Sequence, residues 1–256
     1  MSGPHILPNV PSISQPRPIL LDTDDNICLP DTTTRLSPKD VFVWDVVTWS
    51  RAYPLWLPEV TGNSLECLEV GAGLGGLSLL LAYLGHRVRC TDQYFPTRAV
   101  EYHRRFQFRG QIVYEAADLL SCKYRSQFDV IVCRSVIGSI GIHGGLAAQH
   151  AALETLRMSL KPGGALLLAE NLAASPIHSL ARRITAERRW RWRYPTLSEI
   201  LSILSGFSSL QYRTVGFAAA FGLTETQRRI FGRVDSYLDR LVSAAWRYVW
   251  LGVARR

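Results

Sequence analysis

The chain has 256 residues, with 29 lysines and arginines against 21 aspartates and glutamates, a formal net charge of +8 and 47% hydrophobic residues. That length suits one catalytic-size domain with appended elements, and the balance of apolar and charged residues is that of a globular protein rather than a disordered one. No apolar run reaches the ~18–20 residues of a membrane span, and the five cysteines (Cys28, Cys67, Cys90, Cys122, Cys133) show no C-x-x-C spacing, so a reduced, cytoplasmic protein without a metal site is expected.

The first 38 residues hold seven prolines and few large apolar side chains, which reads as a proline-rich arm without a core of its own. They also lack the basic and apolar regions of a secretion signal. Ser37-Pro38-Lys39-Asp40 reads as a helix start, and residues 41–57 place apolar side chains at helical spacing. Trp44, Trp49, Tyr53 and Trp56 make this segment aromatic, and a lid helix over residues 39–60 is expected.

Residues 65–92 follow as an apolar strand, a turn carrying Gly71, Gly73, Gly75 and Gly76, a helix over 77–84, and a second strand over 88–92 that ends on Asp92. Glycines let the backbone turn tightly and approach a ligand without Cβ obstruction. The stretch is the first βαβ unit of a nucleotide-binding α/β fold, with Asp92 placed to take ribose hydroxyls.

Further along, a helix is predicted over 96–108 and strands over 111–115 and 128–134, then a glycine-rich loop over 135–145, a helix over 146–160 and a fifth strand over 165–170. Helices over 177–189 and 197–205 come next, and strands over 209–215 and 245–253 enclose a helix over 224–241. The expected architecture is an α/β, Rossmann-like seven-stranded mixed sheet with an antiparallel last strand and helices on both faces. One domain then spans residues 39–256, with substrate elements in 172–245.

Gly71-x-Gly73-x-x-Gly76 fits the dinucleotide fingerprint, but Glu69 two residues ahead makes the stretch E-x-G-x-G-x-G. That resembles the first motif of class I S-adenosylmethionine-dependent methyltransferases. Asp118-Leu119 after the third strand and Lys161-Pro162-Gly163-Gly164 before the fifth also resemble that family, as does the closing pair of strands joined through a helix. Glu170-Asn171-Leu172, Trp192-Arg193-Tyr194, Val215-Gly216-Phe217 and Trp246-Arg247-Tyr248 are similar to a small bacterial biosynthetic type whose substrate is uncharacterised. Val43-Trp44-Asp45 resembles protein-lysine methyltransferases, but their D-x-x-Y signature is replaced by Arg134-Ser135-Val136-Ile137.

The resemblance implies S-adenosylmethionine as cofactor. It implies Glu69 at the methionine ammonium, Gly71, Gly73 and Gly75 along the methionine chain, Asp92 with the neighbouring Gln93 at the ribose, Asp118 and Leu119 at the adenine, and Arg134 and Ser135 at the methionine end. Trp44 and Trp49 would offer aromatic faces to the sulfonium. Methyl transfer is an in-line displacement that needs alignment more than acid–base chemistry. Acceptor-side candidates are His143, Glu170, Asn171, His178, Trp192 and Tyr194, with Asn171 favoured because it follows a buried strand and His178 second. The run Arg188–Tyr194 alternates cationic and apolar side chains and fits an exposed edge, a pocket wall or an anionic contact equally well.

The charge is uneven: residues 1–160 hold 14 basic and 15 acidic side chains, and residues 161–256 hold 15 and 6. Such a half suits a nucleic acid, an anionic membrane surface, an anionic substrate or solvated helix faces. Without an RNA-binding module, nucleic acid is disfavoured. The expected activity is methyl transfer to an O- or N-nucleophile of a small biosynthetic substrate, an anionic one being compatible, with no membrane partner. The alternative keeps the cofactor and closes its own chain to azetidine-2-carboxylate, releasing methylthioadenosine; a nucleic-acid or protein methyltransferase ranks below both.

Overall fold

Alternation of side chains along seven strands organises the molecule. The computed structural model describes residues 20–21, 27–28, 35–184 and 192–256. Strands β1 (Glu66–Val70), β2 (Arg87–Asp92), β3 (Gln111–Ala116), β4 (Phe128–Arg134), β5 (Leu160–Asn171), β6 (Ser209–Val215) and β7 (Val249–Arg255) form one sheet in the order β3-β2-β1-β4-β5-β7-β6. β7 runs antiparallel to both β5 and β6, while the pairs from β3 through β5 are parallel. The expected seven-stranded mixed sheet is the observed one. Leu20–Leu21 and Ile27–Cys28 pair separately as two short antiparallel strands.

Because successive side chains point to opposite faces, each strand feeds two cores. On β1, Cys67 joins one and Leu68 the other; on β5, Leu167 joins the first and Leu166 and Leu168 the second. The first core is covered by α4 (Gly76–Tyr83) and the segment of residues 36–60, and the second by α6 (Ile137–Ser159) and α8 (Leu197–Ile203).

Three expected elements are corrected. Residues 39–60 are not one helix but α1 (Pro38–Phe42), α2 (Val46–Trp49) and α3 (Tyr53–Trp56), with 3-10 turns at Ser50–Ala52 and Leu57–Val60. The break lies at Val43 (φ +67°) and Asp45 (φ +49°), a conformation costly for L side chains. Distant groups hold it there. The Glu225 carboxylate accepts the N–H bonds of Asp45 and Val46 at 2.6 and 2.9 Å, and Tyr248 donates to Asp45 at 2.5 Å.

Most of the predicted glycine loop, residues 135–145, is helical, with α6 bending at Gly145. Glycine disfavours helix, but here it admits close neighbours: a Cβ on Gly141 would lie 2.6 Å from Gln149 Nε2 and 2.9 Å from Arg193 Cβ. The last strand begins at Val249 rather than 245, after a 3-10 turn at Ala244–Trp246.

The remaining helices are α5 (Thr97–His103), α7 (Pro176–Ile184) and α9 (Glu225–Leu238). Leu36 and Pro38, within the stretch read as an arm, are buried, and Ser37 and Asp40 form a capping box on α1. Residues 185–191, which hold the end of the helix expected over 177–189 and the first four residues of the run Arg188–Tyr194, lie outside the described residues. Among the described residues, no helix is long and apolar enough to cross a membrane.

Candidate functional site

Five parallel strands end side by side at one edge of the sheet, and strand register sets which residues meet there. Val70 pairs with Thr91 and with Cys133, Asp92 with Ala116, and Arg134 with Ala169. One residue further on, Gly71, Asp92, Arg134, Ser135, Glu170 and Asn171 therefore share one row, with Asp118 just beyond β3. Neighbouring strands lie about 4.8 Å apart, so the row from β3 to β5 spans about 19 Å. Ligands of open α/β sheets bind at this carboxyl edge.

The glycine turn follows β1 directly. Gly71, Gly73 and Gly75 all have positive φ (66°, 57° and 71°). A Cβ on Gly71 would strike Val136 at 2.5 Å and one on Gly75 the His103 ring at 2.7 Å, whereas Gly73 has open space. Asp92 leans over the turn and accepts the Gly73 N–H at 2.9 Å and the Gln93 N–H at 2.8 Å. Its carboxylate keeps further lone pairs for a diol. Asp118 is exposed and closes its own turn, accepting from Leu120 N–H at 3.1 Å and the Ser121 hydroxyl at 3.2 Å, with Leu119 buried beside it.

Beneath the turn sits Glu69. It is buried and accepts the Ser78 N–H at 2.8 Å, so it caps α4 from the strand below. Burial pushes its pKa up to about 7, while the Ser78 hydrogen bonds and the Arg134 charge pull the other way. Arg134 donates to the Phe42 carbonyl at 2.7 Å, and its guanidinium lies over the Phe42 and Trp49 rings. Burial lowers its pKa to about 10, opposed by the charges of Glu69 and Asp45. Arg134 thus ties β4 to the segment before β1.

Ser135 holds a left-handed φ of +56° immediately after β4. Strain of this kind persists only where its surroundings over-determine it. Here Ser135 N–H donates to Ala169 O at 2.9 Å, and the Asn171 amide donates to the Ser135 hydroxyl at 2.8 Å. Glu170, wholly buried, accepts from Ile137 N–H at 2.7 Å and Asn171 N–H at 2.9 Å, capping α6, and burial raises its pKa to about 7. With both oxygens committed, it holds a helix in place.

The structure brings Gly71, Asp92, Arg134, Ser135, Glu170 and Asn171 into one row and places the other candidates apart from it. His178 is buried against Phe217, Phe221 and Tyr248. Its Nε2 donates to the Phe217 carbonyl at 2.9 Å, so Nδ1 accepts the Ser175 hydroxyl at 2.7 Å. Burial lowers its pKa, and no lone pair is left for an acceptor proton. Trp49 is wholly buried, while Trp44 is 42% exposed with Arg228 over its ring. His143 is exposed on α6. Trp192 and Tyr194 lie together, with Arg182 stacked on Tyr194.

Two features escaped the sequence reading. One is the buried Asp45–Tyr248–Thr48 cluster, with Arg228 3.6 Å away, whose partners lie about two hundred residues apart. The other is an open cavity of about 440 Å³ lined by Ala173 and Ala174, which follow Asn171 by two and three residues, with Thr196, Leu197, Ser198, Leu201, Ala245 and Trp246. Its volume falls in the ~300–1,000 Å³ range of small-molecule sites. The only sequence signal for it was position, since Ala173 and Ala174 follow a strand end.

A sequence model described as a methyltransferase domain matches residues 47–210, over half of the chain. No curated protein matches significantly. Among solved structures, an S-adenosylmethionine-dependent methyltransferase from Mesorhizobium loti superposes with a TM-score of 0.56 at 18% identity, covering 82% of this chain and 98% of that one. The N-methyltransferase NodS from Bradyrhizobium japonicum, bound to S-adenosylhomocysteine, gives 0.53 at 19% identity, with coverages of 81% and 84%. Haemonchus contortus phosphoethanolamine N-methyltransferase 2, bound to S-adenosylmethionine, gives 0.55 at 12%, covering 86% of this chain and 57% of that one; the chain thus spans little more than half of that relative.

Proposed function

The chain belongs to the methyltransferase domain family, as a class I S-adenosylmethionine-dependent enzyme, and on that premise we propose that it methylates an oxygen or nitrogen of a small molecule held at the β4–β5 end of the site. The observation that carries this reading is the continuous row from the glycine turn through Ser135 to Asn171, with a largely apolar cavity lined by Ala173 and Ala174, two and three residues after Asn171.

The Gly71–Gly75 turn, with open space at Gly73, and the Asp92 carboxylate suit the methionine chain and ribose of the cofactor, and Asp118 with Leu119 suits the adenine end. When bound, S-adenosylmethionine supplies a methyl carbon already activated by a sulfonium. Glu69 keeps α4 and the turn in place, and Arg134 balances its charge from the methionine end. Ser135, locked by Asn171 and Ala169, holds the loop between cofactor and acceptor. Asn171 donates to Ser135 through its amide nitrogen, which leaves its side-chain carbonyl to accept a hydrogen bond from the nucleophile's N–H or O–H and align it. The largely apolar wall of the cavity offers contact surface to the acceptor's hydrocarbon part. The excess of basic residues in 161–256 suits an anionic acceptor, and the free Cys67, Cys90, Cys122 and Cys133 are in keeping with a reducing cytoplasm.

The test has two arms. By calorimetry, S-adenosylhomocysteine should bind the parent chain, and Asp92→Ala should weaken it by more than ~1 kcal/mol through lost hydrogen bonds. Incubation with S-adenosylmethionine should yield S-adenosylhomocysteine only when an acceptor is added. Methylthioadenosine formed without acceptor would overturn the reading in favour of ring closure, which the comparisons do not support.

A further inference from the structure

α9 is built inside out. A surface helix ordinarily turns its apolar stripe to the core and its charges to water. Here Ile230, Val234, Tyr237 and, in the turn after the helix, Leu241 are 45–83% exposed, at steps of four, three and four residues that keep them on one side. The inner side carries the acids instead. Glu225 accepts the Asp45 and Val46 N–H groups, Asp235 those of Ala218 and Ala219, and Asp239 that of Gly216, while Gly232 packs on Val47.

This inversion strips negative charge from the surface. Of the six acidic residues in 161–256, the five that are described are all engaged internally: Glu170 caps α6, Glu199 pairs with Arg193, Glu225 and Asp235 lie on α9, and Asp239 is its C-cap. Arg229, Arg233 and Arg240 remain exposed, at steps of four and seven along one flank of the apolar row. Trp246, 52% exposed, follows shortly after.

We propose that the outer face of α9 docks on an anionic lipid bilayer. The helix lies in the headgroup plane, with its apolar row in the acyl boundary and its arginines among the lipid phosphates. Outward apolar residues, flanking arginines, interfacial aromatics and an absence of outward carboxylates on the described helix are the composition such helices share. An antiparallel second copy fits less well, because the arginine flank of one helix would face that of the other. The sequence expectation of no membrane partner rested on the lack of a span. A span needs a long apolar run, whereas surface binding needs only one face.

The test is sedimentation of the full chain with vesicles of phosphatidylcholine alone or mixed with phosphatidylglycerol, at low and high salt. The chain should pellet with the anionic vesicles, much less with the neutral ones, and lose binding as salt screens the arginines. Arg229→Gln/Arg233→Gln/Arg240→Gln should weaken binding about a hundredfold, at about fivefold per arginine. Ile230→Ser/Val234→Ser should weaken it on the order of tenfold. All five side chains are exposed, so melting temperature and cofactor affinity should stay at parental values, showing that the loss is not unfolding. The proposal falls if both vesicle types bind equally, if neither binds at low salt, or if the variants bind like the parent. A dimer in sedimentation velocity that Ile230→Ser/Val234→Ser dissolves would assign the face to a second copy instead.

Discussion

Glu69 and Glu170 occupy equivalent places in the two halves of the site, and the way each is satisfied separates those halves. Both sit at the carboxyl end of a strand, both cap a helix, and burial raises both to a pKa of about 7. Glu69 reaches Ser78, nine residues on, within one strand–turn–helix unit. Glu170 reaches back to Ile137, thirty-three residues earlier, across a neighbouring strand. The glycine turn, its cap and Asp92 are assembled from the contiguous stretch 66–92; the β4–β5 end is assembled from elements that find each other only in the folded state.

The largest break in this comparison should come where the two halves meet. Trp49 lies under Arg134 and is wholly buried, so Trp49→Ala should cost roughly 3–5 kcal/mol in chemical denaturation. Trp44→Ala, at a half-exposed position, should cost far less; equal losses would show that the buried ring is not what anchors the segment. Gly76→Ala tests whether even the cofactor half depends on distant chain. The new Cβ would lie 1.9 Å from the Val41 carbonyl, and the expected loss is roughly 1–3 kcal/mol. An unchanged urea midpoint would mean that α1 can move away freely.

The two glutamates also make a pH prediction. Each titrates near 7 when folded against 4.5 for an ordinary glutamate, so between those values the folded chain holds more protons than the unfolded one. Their contribution to stability is complete below about 4.5 and is lost as pH rises toward 7, by up to ~1.4 kcal/mol per pH unit for each group. Glu170→Gln should remove its share of that slope, even if it lowers stability overall by disturbing the α6 cap. Denaturation midpoints at several pH values check this, and an unaltered slope would place the titration elsewhere.

The smallest effect should sharpen the division of labour. Asn171→Ala removes the amide that holds Ser135 and should reduce turnover by the ~0.5–1.5 kcal/mol of a hydrogen bond while leaving calorimetric affinity for S-adenosylhomocysteine near parental. A matching loss of cofactor affinity would move Asn171 into the cofactor half.

The amino-acid sequence determined the sheet and the glycine turn with Asp92 beside it. Alternation in strands, glycines where the backbone turns with positive φ, and an acid at the end of β2 are local requirements, so Gly71, Gly73, Gly75 and Asp92 were recognisable from their own neighbourhood. Only the tertiary structure decided the rest. Residues 137–144 are helical because Glu170 caps them and small side chains let Gln149 and Arg193 approach, against their intrinsic preference. Residues 39–60 break at Val43 and Asp45 because Glu225 and Tyr248 reach in from the far end of the chain. His178 looked like an acceptor-side candidate until both its nitrogens proved to be bonded, and the sequence placed a helix over 224–241 without showing that its acids turn inward. Periodicity shows that a helix has two faces, but which face meets the protein depends on the hydrogen bonds waiting beneath it.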